Sequence, residues 1–433
     1  MKLALSTLIL LLLFASPCSS DEPAIEGPLD MKGAIERGFQ NSPRLKIARA
    51  GVKSTQAETG EARSRLEPAL SVNGVYSTGD MPMLISSAPL VMPQNIIRLE
   101  NNTSGLLNAM IMAPLYTGGT FSNSVRARER DEAAASWEEK RVRLELAMEI
   151  KTSYLQALFL DESRKAYEEL LALQNENVKR SGELYEAGKI PLLYLLRAKN
   201  ERAAAESSIN RLRAAFESER ASLMALLGGD TRSAQELSEA FVPWESPGES
   251  GALRASLESH PVLLRFNEKI EAARREAHAV EGEYLPQVYV FGMGQAITPT
   301  RTDPNPGYST GILASVAIGD GGSRKFRRDK ALALLEGLIA EKEAARLTLE
   351  KELITAWKAM DAADNNTKLA EAALTEAAEV LRIAGLRYRS GKGISLEIID
   401  AQWSQAKARL MRLEAIRDHN IAVARIKYIT GTW

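Results

Sequence analysis

The chain says the same thing twice. Asn41-Ser42-Pro43 and Leu66-Glu67-Pro68 return as Ser259-His260-Pro261 and Tyr284-Leu285-Pro286, each proline displaced by 218 positions. Further on, Thr117-Gly118-Gly119 returns as Asp320-Gly321-Gly322, and Tyr185-Glu186-Ala187-Gly188-Lys189 as Tyr388-Arg389-Ser390-Gly391-Lys392, now displaced by 203. The second displacement holds to the end, since Leu226-Leu227-Gly228 falls on Ile429-Thr430-Gly431. A constant offset over long stretches makes each half one architectural unit, and two such units stack into one body. The offset changes only between Pro68 and Gly118, where the first copy carries 15 extra residues (218 less 203). That is where a variable loop is expected.

Each unit reads as helix, strand, strand, helix, helix. After a short helix over 31–40, proline in the first turn of 43–65 starts a second. Residues 69–77 place large apolar side chains at every second position, the period of a strand with one apolar face. A loop rich in Pro, Met and Ser follows, then a strand over 103–115. From 120 to 187 no proline occurs and apolar residues recur at three and four, which predicts one helix about 100 Å long. Gly188-Lys189-Ile190-Pro191 turns the chain, and a return helix ends at Gly228-Gly229. The second copy runs through a helix at 261–283, strands at 287–296 and 308–318, and a helical hairpin over 323–430 with its tip at 391–393. The first unit thus spans 29–229, a connector 230–251, and the second unit 252–431.

Composition agrees with long solvated helices: 26% charged and only 6% aromatic residues, with a net charge of −1 that provides no basic field for nucleic acid. Met1-Lys2, an apolar run over 3–14 and small residues before an acidic start describe a secretory signal peptide over 1–20, cleaved after Ser20. Cys18 offers the alternative of lipoprotein processing and acylation, although Pro17 fits such a site poorly. As the single cysteine of the chain, Cys18 leaves the exported protein without a disulfide. Beyond this leader no run of 18 apolar residues exists, so membrane contact, if any, falls to the strands. Four strands cannot close in lipid, where unpaired edges are costly, and the smallest spanning barrels need eight. Three copies would give 12 strands, the most economical closed solution.

This doubled order, with its Ser-Pro and His-Pro helix starts, Leu-Glu-Pro and Tyr-Leu-Pro before strands, Gly-Gly pairs after strands and Gly-Lys tips, resembles the TolC family of outer-membrane efflux and secretion channels. The resemblance covers about 29–431. It implies a mainly α fold with a small β-barrel part: as a homotrimer, a long α-helical barrel projecting into the periplasm and capped by a 12-stranded transmembrane β-barrel in outer-membrane lipid. It further implies a passive exit duct of a tripartite efflux or type I secretion system, docked to a periplasmic adaptor (a membrane fusion protein) and an inner-membrane pump of RND, ABC or MFS type. The rival from a different class is an exported trimeric helical scaffold or adhesin without a pore. No phosphate loop, nucleophile elbow or triad pattern suggests an enzyme, and no cofactor is expected.

Glu397 and Asp400 stand three apart and share a helix face. Around a threefold axis they would form a ring of six carboxylates, attracting cations and resisting closure unless paired. The family constricts its periplasmic entrance with acidic residues at these two positions, and Tyr388 matches its tip tyrosine. The family's latch arginine and aspartate are replaced here by Gly393 and Tyr194, so Arg389, Lys392 or Arg197 are the expected substitutes. The plain alternative for Glu397 and Asp400 is a solvated helix face. The family docks its adaptor on the tips, which nominates Leu184, Tyr185, Gly188, Leu386, Tyr388 and Gly391; the plain alternative is that the glycines only turn the hairpins. Met81, Met83, Met92, Met110 and Met112 could serve as soft copper(I) ligands, or as apolar filler. His260, His278 and His419 have no metal-ligand spacing, and His260 matches the helix-start position of Ser42.

Overall fold

The computed structural model describes residues 28–79, 102–231, 236–247, 256–299, 305–390 and 392–431. The signal peptide with Cys18, the loop methionines Met81, Met83 and Met92, and Gly391 lie outside the described residues. In order, the elements are α1 (Met31–Asn41), α2 (Pro43–Ser64), β1 (Ala69–Gly79), β2 (Asn102–Tyr116), α3 (Thr120–Glu186), α4 (Leu192–Leu227), a short turn of 3-10 helix (Ser256–Ser259), α5 (Pro261–Gly282), β3 (Gln287–Pro299), β4 (Asn305–Ser315), α6 (Ser323–Arg389) and α7 (Ser395–Thr430). The duplication is metrical. α2 and α5 have 22 residues each, α3 and α6 have 67, and α4 and α7 have 36. At 1.5 Å per residue the two long helices carry the chain roughly 100 Å from sheet to tip. α4 and α7 return about half that distance.

Helix starts follow from the residues that satisfy free N–H groups. Asp30 accepts from the Gly33 backbone N–H at 3.0 Å and caps α1. α2 and α5 both begin on proline, which has no N–H to satisfy. Their preceding residues differ. Ser42 makes no side-chain cap, whereas Nδ1 of His260 accepts from the Val262 N–H at 3.3 Å.

His260 is wholly buried, with its ring edge-on to Tyr428 at 5.7 Å. Burial, reinforced by the charge of Arg141, pushes its pKa down to about 4. The imidazole is therefore neutral in the fold at neutral pH, as accepting at Nδ1 requires. An unfolded histidine titrates near 6.5 and protonates first as pH falls, so this contribution is complete above about pH 6.5 and lost toward pH 4, a change of roughly 3 kcal/mol. The urea midpoint is expected to fall between pH 7 and pH 4.5. His260→Asn keeps a capping side chain and should flatten that dependence; an equally steep profile in the variant would assign the acid sensitivity elsewhere.

Four strands form one antiparallel sheet in the order β1-β2-β3-β4. Within the chain β1 and β4 each have one unpaired edge. β1 extends to Gly79, two residues past the expected end, while β4 stops at Ser315, three residues before its expected end. β2 shifts register between Pro114 and Tyr116, where proline brings no N–H to the ladder. The register separates two faces. Leu70 pairs with Ile111, and Val290 with Ile312, on an apolar face whose exposure reaches 72% at Leu70 and 69% at Ile312. The opposite face carries the row Asn73, Asn108, Gln295, with Asn73 Nδ2 donating to Asn108 Oδ1 at 3.3 Å. Met110 and Met112 lie on this second face, opposite Met293 and Phe291. No described helix is long and apolar enough to cross a membrane.

The core sits at mid-length, where the shorter helices end against the long ones. In the first half Leu45, Leu146, Ile150, Tyr154 and Leu223 cluster; in the second Leu263, Leu353, Val423 and Ile426 do, and Trp244 packs against both clusters. The connector is fastened to α7 through Asn420, whose Oδ1 accepts from the Trp244 N–H and whose Nδ2 donates to the Val242 carbonyl, both at 2.8 Å. His419 reaches the Trp244 carbonyl through Nε2 at 2.8 Å and Asp364 through Nδ1 at 2.7 Å.

Candidate functional site

The two tips close by different backbone geometry. At the first, Gly188 adopts φ +68°, with its N–H on the Tyr185 carbonyl and the Lys189 N–H on that of Leu184. A positive φ is what glycine tolerates without penalty. At the second, the N–H groups of Lys392 and Gly393 both donate to the Arg387 carbonyl, at 2.9 and 3.0 Å. A Cβ at 393 would lie 2.9 Å from the Cβ of Arg387 and 3.0 Å from the Tyr388 nitrogen. The glycine that stands where the resemblance expects an arginine is thus enforced by how closely this turn folds back on α6.

Glu397 and Asp400 both lie exposed on the first turns of α7. Neither is bare. Arg387 of α6 reaches Glu397 with Nε at 3.4 Å from Oε2, and Arg197 of α4 comes to 4.0 Å from Asp400. The first pair lies within one hairpin; the second joins the two hairpins. Arg180 of α3 stacks over the ring of Tyr388, its guanidinium carbon 4.6 Å from the ring centre, and makes a second bridge between hairpins. Of the three basic residues expected to replace the latch, only Arg197 meets one of these two carboxylates. Arg389 turns back to the Gly385 carbonyl of its own helix at 3.3 Å, and Lys392 makes no ion pair among the described residues. Arg387 was not legible as a partner, because spacing along one helix does not report what folds back from the previous one.

A contact of another kind sits above the tips. Gln402 Oε1 accepts from Asn177 Nδ2 at 2.7 Å and from Gln174 Nε2 at 3.0 Å, all three side chains being buried. The amides join α3 to α7 across more than 220 positions and fix their register, since a slipped helix would leave polar groups without partners. The only signal in the sequence was three amides within otherwise apolar helical stripes.

Of the remaining tip residues, Leu184 is half-buried, while Tyr185, Gly188 and Leu386 are exposed, with Leu386 at 49%. Sequence reasoning missed Leu192, Leu193, Leu196 and Ile394, which add exposed apolar surface to the same end. His260, His278 and His419 lie on separate elements or turns, and no group of three metal-ligating residues forms among the described residues.

Two helical hairpins hung from one antiparallel sheet, with the halves matching in length, define a channel protein of the outer membrane. The chain matches the model for "outer membrane efflux protein" over residues 34–229 and 252–432, and it belongs to that family. It is 21% identical to the outer membrane efflux protein BepC of Brucella suis, over 93% of this chain and 85% of that one. It is 22% identical to the pyoverdine export outer membrane protein OpmQ of Pseudomonas aeruginosa, over 94% and 86%. Its fold matches the Campylobacter jejuni CmeC outer membrane channel with a TM-score of 0.82 at 15% identity, covering 93% of this chain and 85% of that one. Membership makes it an outer-membrane exit duct of tripartite efflux, assembled with an adaptor and an inner-membrane pump.

Proposed function

We propose that the chain works as a passive homotrimeric duct. Three sheets join β4 to β1 around a threefold axis and close a 12-stranded barrel in the outer membrane, and the α3–α4 and α6–α7 hairpins wall a water-filled tunnel below it. The observation that carries this reading is the sheet itself: two unpaired edges flanking a face whose apolar side chains are exposed. In lipid every backbone N–H and C=O needs a partner, and closure is the solution that leaves no edge. Strands of 11 to 15 residues are long enough to cross the hydrocarbon at a tilt. A pore-free scaffold or adhesin gives that apolar face nothing to cover it.

In this reading Glu397, Asp400 and Tyr388 form the gate, held shut by Arg387, Arg197 and Arg180. An adaptor binds the tips through Leu184, Tyr185, Gly188, Leu386 and Gly391, the last of which lies outside the described residues; the exposed apolar surface of Tyr185 and Leu386 supports such a contact. Energy comes from the inner-membrane pump, so specificity lies mainly upstream of the duct. Full-length protein purified in detergent is expected to run at three times the chain mass and to produce stepwise conductance in planar bilayers. A water-soluble monomer that leaves bilayers silent would refute the duct.

A further inference from the structure

Where the chain leaves β4 and starts α6, its surface changes from apolar to basic. Val316 and Ile318 stand 52% and 93% exposed, and Phe326 68%. Around that phenylalanine Lys325, Arg327, Arg328 and Lys330 are all exposed, opposed within the segment only by Asp329. The architecture does not require this charge. At the displacement of 203 the first repeat starts α3 with Ser122, Ser124, Val125 and Ala127 at the same four positions, and the same helix forms.

The neighbouring Arg324 has a structural task. Buried, it gives Nε to Asp320 at 2.9 Å, Nη1 to the Glu283 carbonyl at 3.1 Å and Nη2 to the Ala317 carbonyl at 2.7 Å, fastening the end of the sheet to α5. The four exposed cations have no such task. Arg327 and Arg328 meet Glu283 and Glu281 at 2.7 and 3.2 Å as half-exposed pairs, which water screens and a competing anion can exchange. Lys325 and Lys330 pair with no carboxylate among the described residues. Beside Arg327 opens a cavity of about 360 Å³, lined by Arg327 and Arg324, by their partners Glu283 and Asp320, and by Phe121 and Leu285.

We propose that this junction is a binding site for an anionic phospholipid of the periplasmic leaflet. Its headgroup phosphate meets Arg327 and Lys330, which share a face of α6 at a spacing of three, Arg328 and Lys325 add the surrounding positive field, and the acyl chains run up beside Val316, Ile318 and Phe326. Continuity with the strands and the order apolar then basic favour a lipid over a soluble partner, since cations just outside a membrane segment are drawn to an anionic leaflet. The site rests on the reading of the sheet as membrane-spanning.

Native mass spectrometry of the full-length protein, titrated with phosphatidylglycerol and with phosphatidylcholine, tests it. Phosphatidylglycerol is expected to bind better by about tenfold, with the difference lost in a variant carrying Lys325→Gln, Arg327→Gln, Arg328→Gln and Lys330→Gln. Four matched changes farther along α6 (Lys342→Gln, Arg346→Gln, Lys351→Gln and Lys358→Gln) should leave it intact. Equal binding of both lipids, the same preference in the first variant, or its loss in the control variant would overturn the site. Displacement of phosphatidylglycerol by millimolar inorganic phosphate would assign the cavity to a free anion and overturn the lipid. Planar-bilayer conductance of the first variant keeps the two readings apart: a conducting protein without headgroup preference loses the lipid site and keeps the duct.

Discussion

Gly118→Ala and Gly282→Ala are each expected to remove most of the folded protein from outer-membrane fractions. The reason is a single crossing of two backbones. A Cβ on Gly118 would lie 2.3 Å from the Gly282 carbonyl oxygen and 2.7 Å from Leu285 Cβ, and one on Gly282 would lie 2.5 Å from the Gly118 carbonyl oxygen. Neither obstacle is the flexible end of a side chain. Gly118 also holds φ +61°, which an L side chain resists. Left-handed strain and forced separation together amount to about 2–5 kcal/mol for Gly118, with the steric part alone acting at Gly282. That crossing joins the start of α3 to the end of α5, where both helices meet the sheet, so separation there reaches the strands. Gly60→Ala, in α2 with nothing within 4 Å of the added methyl group, is the matched control. It should be neutral, or stabilise by up to about 1 kcal/mol through helix propensity. A normal yield of folded protein from Gly118→Ala would mean that the crossing is looser than its distances say.

These glycines explain why so much of the fold was legible. The doubled Gly-Gly and X-Pro signals are backbone requirements, and such requirements are written at fixed positions: prolines at the first residue of α2 and α5, positive-φ glycines before α3 and α6. The constant offset followed from helices that match residue for residue in length. Strand ends were less legible. Period two continues in 316–318, with Val316 and Ile318 exposed, although β4 stops at Ser315; alternation reports a surface, and pairing alone reports a strand.

The site was legible in one dimension only. That Glu397 and Asp400 share a face follows from their spacing. Their partners Arg387 and Arg197, the stacking of Arg180 on Tyr388 and the amides of Gln174, Asn177 and Gln402 do not, since each joins helices that meet only after folding. The first repeat sharpens the contrast. It has Tyr194 and Arg197 where the second has Glu397 and Asp400, so the duplication itself places an arginine opposite a carboxylate. The two repeats, having diverged in charge, meet through Arg197 and Asp400.

In the proposed duct, charge at the tips decides what is conducted when Glu397 and Asp400 are changed. Between 180 and 197 and between 387 and 400 the chain carries six basic residues and four acidic ones, a net of +2. Replacing both Glu397 and Asp400 by alanine leaves Arg387 and Arg197 unpaired and raises the net to +4 per chain. Single-channel reversal potentials measured in a salt gradient are expected to move strongly toward anions. Arg197→Ala with Arg387→Ala brings the net to zero and should move them toward cations. The effect on leak is smaller: both pairs are half-exposed, and such pairs contribute about 1 kcal/mol or less each, so losing one changes the open fraction of the resting channel by about fivefold at most per pair. Because Arg197–Asp400 joins the two hairpins and Arg387–Glu397 lies within one, Arg197→Ala alone should raise resting conductance more than Arg387→Ala alone. Selectivity that ignores all four residues would remove the gate from this end of α7 and leave Glu397 and Asp400 as a solvated helix face.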